Sequence, residues 1–101
     1  MSEPLRRMIV AYDIADDRRR DRVALALQEH GDRIQYSVFV VDGRPASFVR
    51  LRASLARLID ADVDSILLCD LGPRDTAIKR SMTYLGARRA LGTGDADAFI
   101  L

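Results

Sequence analysis

The chain has 101 residues, 49% of them apolar, and a formal net charge of +1. That length fits one domain, the apolar share excludes a disordered chain, and near neutrality excludes the overall basic excess of many nucleic-acid binders. The longest apolar runs are strand-length, far short of the ~20 residues that cross a bilayer, so no membrane partner is expected.

Met1-Ser2-Glu3-Pro4 followed by Arg6-Arg7 lacks a long apolar region, so no signal peptide is expected. The first element is an apolar run, Met8-Ile9-Val10-Ala11-Tyr12-Asp13-Ile14, read as a strand over residues 6–14. It carries one carboxylate, Asp13, toward its C-terminal end, where burial would be costly without a partner. Asp16 or Asp17 then suits the cap of a helix. That helix runs to about His30, with Val23, Ala26, Leu27 and His30 on one face and Gly31 as its stop.

Fifteen of the sixteen basic residues are arginine, and Arg18, Arg19, Arg20 and Arg22 crowd just after the first strand. Arginine's planar fork suits phosphate, although a solvated helix face accounts for the same run.

Residues 33–41 form the second β stretch. Ile34, Tyr36, Val38 and Val40 alternate as the expected core face, while Phe39 and Val41 make the other face partly apolar as well. Asp42-Gly43 reads as a turn. Pro45 suits the first turn of a second helix to about Ile59, with Phe48, Leu51, Leu55 and Leu58 as its apolar stripe.

Residues 64–71 read as a further strand stopped by Gly72-Pro73, with Cys69 in it as a small buried residue of a cytoplasmic protein. A short strand near Ser81 to Leu85 is weaker. Ala98-Phe99-Ile100-Leu101 ends the chain on apolar residues that need burial in this copy or in a partner.

This order fits a single α+β domain over 1–101, with a core over about 6–86. The fold class is a ferredoxin-like βαββαβ sandwich, an antiparallel sheet with two helices on one face. Its four strands require either that residues 33–41 count twice or that a strand near Ser81 completes the sheet.

The glycines match no dinucleotide or phosphate-loop spacing. One Cys and one His cannot make a structural zinc site, and one His cannot supply both acid and base of a metal-independent ribonuclease. Carboxylates remain. Asp13, Asp16 and Asp17 cluster beside arginines, a setting in which Mg²⁺ could be held with substrate phosphate and water.

Tyr12-Asp13-Ile14, then Asp16-Asp17 and Arg20-x-Arg22-Val23, then Gly31-x-Arg33-Ile34-Gln35-x-Ser37-Val38-Phe39, resemble the CRISPR-associated protein number two family. The likeness is strongest over residues 8–42 and extends to about residue 86. It implies a homodimer, and residues 87–101 dock either on this chain's own sheet or on the partner chain. It also implies a Mg²⁺- or Mn²⁺-dependent endonuclease in which two symmetry-related copies of Asp13 hold the metal and catalyse. Tyr12, Arg20, Arg22, Arg33, Ser37 and Phe39 match positions that bind nucleic acid or support that site.

The substrates implied are single-stranded RNA or double-stranded DNA, and the partner is the CRISPR integrase of spacer acquisition. A catalytically inactive scaffold and a toxin-type ribonuclease of the same fold stay open. Many relatives carry Glu where this chain has Val40, which removes a second nearby carboxylate.

Overall fold

A computed structural model describes residues 4–86. The elements run β1 (Arg6–Asp13), α1 (Asp17–Gln28), β2 (Gly31–Gln35), β3 (Val38–Gly43), α2 (Pro45–Leu58) and β4 (Ser65–Pro73). A short turn of helix, α3 (Arg74–Thr76), continues into a π-type turn over Ala77–Ser81. The strands form one sheet in the order β2-β3-β1-β4, and every neighbouring pair is antiparallel. This is the ferredoxin-like arrangement expected, and the stretch over 33–41 supplies two of its strands. Residues 82–86 form no strand; Met82 is merely extended beyond the π-type turn. The expected C-terminal docking over 87–101 lies outside the described residues.

Local chemistry explains most of these elements. Asp16 caps α1, its carboxylate accepting from the Arg19 backbone N–H at 2.9 Å, a contact of about 1 kcal/mol. Pro45 opens α2, where its missing N–H costs nothing. Gly31 does not stop α1, whose final cap is Glu29 in right-handed helical conformation. Instead it opens β2, where a Cβ would come within 2.1 Å of the Val40 carbonyl oxygen. His30 is exposed rather than packed on the apolar face of the helix. β4 does not break at Gly72 but runs through it to Pro73.

The principal core lies between the sheet and both helices. Val10, Tyr12 and Ile14 meet Phe39 and Val41, with Val23 and Leu27 from α1 and Phe48, Leu51 and Leu55 from α2. The expectation for residues 33–41 therefore needs correction. Phe39 and Val41 face the helices, whereas Ile34 and Val40 join a second cluster on the other face with Ile9, Leu71, Met82 and Tyr84. Both faces are apolar because both are covered, so alternation alone cannot say which one holds the helices. Tyr36 belongs to neither face. It sits in the turn between β2 and β3 and is 77% exposed. Cys69 also differs from expectation, since it is exposed.

An ionic clamp pins the second cluster. Arg7, 1% exposed, donates to both Asp42 carboxylate oxygens at 2.8 Å, and its Nη1 lies 3.6 Å from the Met82 sulfur. Arg74 reaches the same Asp42 carboxylate at 3.4 Å, and its backbone N–H donates to the Leu5 carbonyl. A buried guanidinium needs such bidentate pairing to offset its lost hydration. Asp42, read as a turn residue, is thus a ladder position in β3 that neutralises β1.

Candidate nucleic-acid interface at the end of the first strand

β1 alternates its side chains across the sheet. Val10 and Tyr12 enter the core under the helices, while Ile9 joins the cluster on the far face. By the same alternation Asp13 belongs with Arg7, Ile9 and Ala11, on the face without helices. It is the last residue of the strand, lies opposite Ser65 of β4, and is exposed. Strand pairing thus delivers a carboxylate to solvent at the sheet's end, so the burial cost anticipated for Asp13 does not arise.

Three other acidic groups near this end are engaged. The Asp16 carboxylate caps α1. That of Asp17 accepts from Arg20. Asp64 accepts from Arg19 Nε at 2.7 Å, and from the Asp60 backbone N–H at 2.8 Å. The Arg19 hydrogen bond, aided by that of Asp60, holds the Asp64 carboxyl below the usual carboxylate range against the opposing effect of desolvation. Asp13 makes no side-chain hydrogen bond or ion pair among the described residues.

Behind the strand, the matched residues form a stack. The Tyr12 and Phe39 rings lie with centroids 6.3 Å apart and planes inclined at 27°, and the Arg33 guanidinium carbon sits 5.1 Å from the Phe39 centroid. Phe39 is fully buried. Arg33 Nε is buried with no hydrogen-bond partner. These three residues are on the helix side, so they buttress the strand carrying Asp13 rather than face its carboxylate. Ser37 contributes its backbone, its carbonyl accepting from the Tyr12 N–H at 3.1 Å.

Arg20 ties down the loop after β1. Its Nη1 donates to the Ile14 and Ala15 carbonyls at 3.1 and 3.2 Å, and its Nη2 to Asp17. The Asp17 hydrogen bond is the largest of the influences that raise its pKa. Arg20 therefore orders the loop in this state. Arg22 lies on the solvent face of α1 and makes none of these contacts. The structure gathers Tyr12, Asp13, Arg20, Arg33, Ser37 and Phe39 at one end, and leaves Arg22 apart. The Arg19–Asp64 tie that closes this end was not legible as a site feature, because its partners lie 45 residues apart.

The donor set can be tested against a divalent cation. Among the described residues no three His, Cys, Asp or Glu side chains are grouped to hold a metal. Mg²⁺ is commonly bound by one or two carboxylates together with water and substrate phosphate. Asp13 could serve as one such ligand, and no second carboxylate stands grouped with it among the described residues.

A family model described as CRISPR associated protein Cas2 matches residues 6–77. A Rhodospirillum rubrum protein named CRISPR-associated endoribonuclease Cas2 3 is 37% identical over 89 residues, spanning 83% of this chain and 90% of the relative. Another from that organism, CRISPR-associated endoribonuclease Cas2 4, is 36% identical over 85 residues; the match takes in 84% of this chain but 66% of that longer relative, just under two thirds. The crystal structure of Streptococcus pyogenes Cas2 superposes with a TM-score of 0.68 at 32% identity, covering 79% of this chain and 99% of that one.

Proposed function

This chain belongs to the family of CRISPR-associated Cas2 proteins, and on that basis we propose that it is a nuclease of CRISPR adaptation. It hydrolyses phosphodiester bonds of single-stranded RNA or double-stranded DNA with Mg²⁺ or Mn²⁺ at Asp13. The observation that carries this reading is the contrast between Asp13, solvent-exposed and uncommitted, and Asp16, Asp17 and Asp64, each held by an arginine side chain or a backbone N–H. When bound, the metal would lower the pKa of a coordinated water and neutralise charge on the phosphoryl group.

The protein's own groups have separable tasks. Asp13 supplies the anionic oxygen ligand. The Tyr12–Phe39–Arg33 stack fixes the strand behind it, and Arg20 fixes the loop beside it. A second copy related by a two-fold axis would bring a second Asp13 and complete the site. Leu67, 59% exposed and paired in register with Ala11, lies on the same helix-free face as Asp13, an apolar position suited to covering by that copy. Asp13→Ala is expected to reduce Mg²⁺-dependent cleavage on the order of a hundredfold or more, with the circular dichroism spectrum unchanged. Cleavage by that variant at the wild-type rate would overturn the assignment.

One observation favours a second reading, a dimeric DNA-binding scaffold for the CRISPR integrase. Val40, at the position where many relatives carry Glu, is almost fully buried against Met82, so no second carboxylate stands there. In that reading Arg18 and Arg22, exposed on α1, track the phosphate backbone, and binding falls steeply with salt. Spacer integration retained by Asp13→Ala with the partner integrase would favour the scaffold. Lost integration with retained DNA binding would favour catalysis.

A further inference from the structure

We infer that Tyr36 is a stacking platform for an unpaired base, so that the strand presented to Asp13 is single-stranded; this rests on the nucleic-acid reading above. Tyr36 occupies the short connection between β2 and β3. Connections of that length favour Gly, Asn or Asp, whose backbones turn easily or whose side chains satisfy the turn. Tyrosine offers neither advantage, and no residue other than glycine has a positive φ here. Nor does Tyr36 serve the core, being 77% exposed, with its neighbours Gln35 exposed and Ser37 half-buried. A large ring is thus held in water on a turn that has no structural use for it.

The neighbouring ladder places the backbone of this turn. β1 and β3 pair in register through Ala11 and Val38, and the Tyr12 N–H continues the ladder to the Ser37 carbonyl. Tyr36 precedes Ser37 in the turn and Asp13 follows Tyr12 as the last residue of β1, so both lie at this end of the sheet. A shift in the β2–β3 register between Arg33 and Gln35 marks a bulge just before the turn, a device that re-aims a strand tip. Arg20 belongs to the same end, where the Tyr36 phenol is a minor influence on its guanidinium after the dominant Asp17 hydrogen bond. An exposed aromatic face, flanked by a carboxylate that can take a metal and by a guanidinium, is the set of groups that grips one unstacked nucleotide. Bases inside a duplex are stacked on each other and offer no free face to Tyr36.

The test is equilibrium binding by the full-length protein, with a chelator present so that nothing is cut, and at one fixed salt concentration. The probes are a short single-stranded RNA of mixed sequence, an abasic strand of equal length and charge, and a duplex. Tyr36→Ala is expected to weaken binding to the base-bearing strand by about 5- to 150-fold, the range that base–aromatic stacking gives on alanine substitution. Binding to the abasic strand and the duplex should not change, and Tyr36→Phe should bind like the wild type. Equal loss on the abasic strand, no loss at all, or a change in oligomeric state on sedimentation of Tyr36→Ala would each overturn the inference. The last would make Tyr36 a subunit contact. A wild-type protein that binds the strand, beside a Tyr36→Ala that binds it equally well, would sink the inference alone. A wild-type protein that binds none of the probes would remove the nucleic-acid reading with it.

Discussion

Asp13 is exposed and carries no side-chain partner among the described residues, whereas Arg20, in the first turn of α1, spends its donors on two carbonyls and Asp17. The two residues thus have different tasks although both match the family's pattern: one is available to a metal, the other shapes its surroundings. Glycine at position 31 is a packing requirement of the same neighbourhood, since it opens β2, the strand that leads into the Tyr36 turn. A Cβ there would sit 2.1 Å from the Val40 carbonyl oxygen, and backbone cannot move aside as a side-chain tip can. Gly31→Ala is therefore expected to destabilise the fold by about 3 kcal/mol, read as a lowered denaturation midpoint in urea. A midpoint equal to that of the wild type would show that β2 and β3 are not so closely apposed.

Between elements, two ion pairs carry structure that hydrophobic packing alone does not. Arg7 on β1 and Asp42 on β3 stand 35 residues apart and lock the helix-free face, with Arg74 reaching the same carboxylate. Asp42→Ala would take the bidentate carboxylate from a buried guanidinium, so a loss of about 3 kcal/mol is expected. Replacing both Arg7 and Asp42 by apolar residues of similar volume should cost less than Asp42→Ala alone. A double variant less stable than the single one would contradict this account. Arg19 on α1 holds Asp64 just before β4, and there pH provides the probe. Because the folded Asp64 carboxyl lies below its ordinary range through the Arg19 hydrogen bond, the unfolded chain takes up that proton first as pH falls. The stability from this pair is present above the ordinary aspartate range and fades below about pH 4. The gap in stability between wild type and Arg19→Ala should therefore narrow as urea midpoints are followed into that acid range. A gap that stays constant would mean the pair does not titrate with folding.

The same elements mark how much could be read from the chain. α2 was legible because Pro45 and the spacing of Phe48, Leu51 and Leu55 are local signals, and β1 because its apolar run is uninterrupted until Asp13. The β2–β3 connection was not, since Tyr36-Ser37 carries no glycine or asparagine and both faces of the flanking strands are apolar. At the site, Asp13, Tyr12 and Phe39 were recognisable from their motif. The engagement of Arg20, the exposure of Tyr36 and the Arg19–Asp64 tie depend on contacts across the fold, which no short window contains.

At the scale of the molecule, the two faces of the sheet have divided the work. The helices cover one face and build the core, while the described residues beyond β4 cover part of the other through Met82 and Tyr84. Asp13 and the exposed Leu67 lie at the part left open. Among the described residues one copy thus offers a carboxylate without a grouped second ligand, on a face with exposed apolar surface. A second copy on that face would meet both needs at once, so the proposed catalysis and the proposed dimer stand or fall together. No helix among the described residues is long and apolar enough to cross a membrane.

The central claim, that each chain supplies half of the metal site, is tested most directly in a mixed dimer. Wild-type and Asp13→Ala chains carrying different affinity tags are co-expressed, and the heterodimer is isolated by sequential capture and assayed for Mg²⁺-dependent cleavage. The account predicts activity no higher than that of the Asp13→Ala homodimer. A heterodimer with half the wild-type activity would contradict it, because each Asp13 would then be working alone.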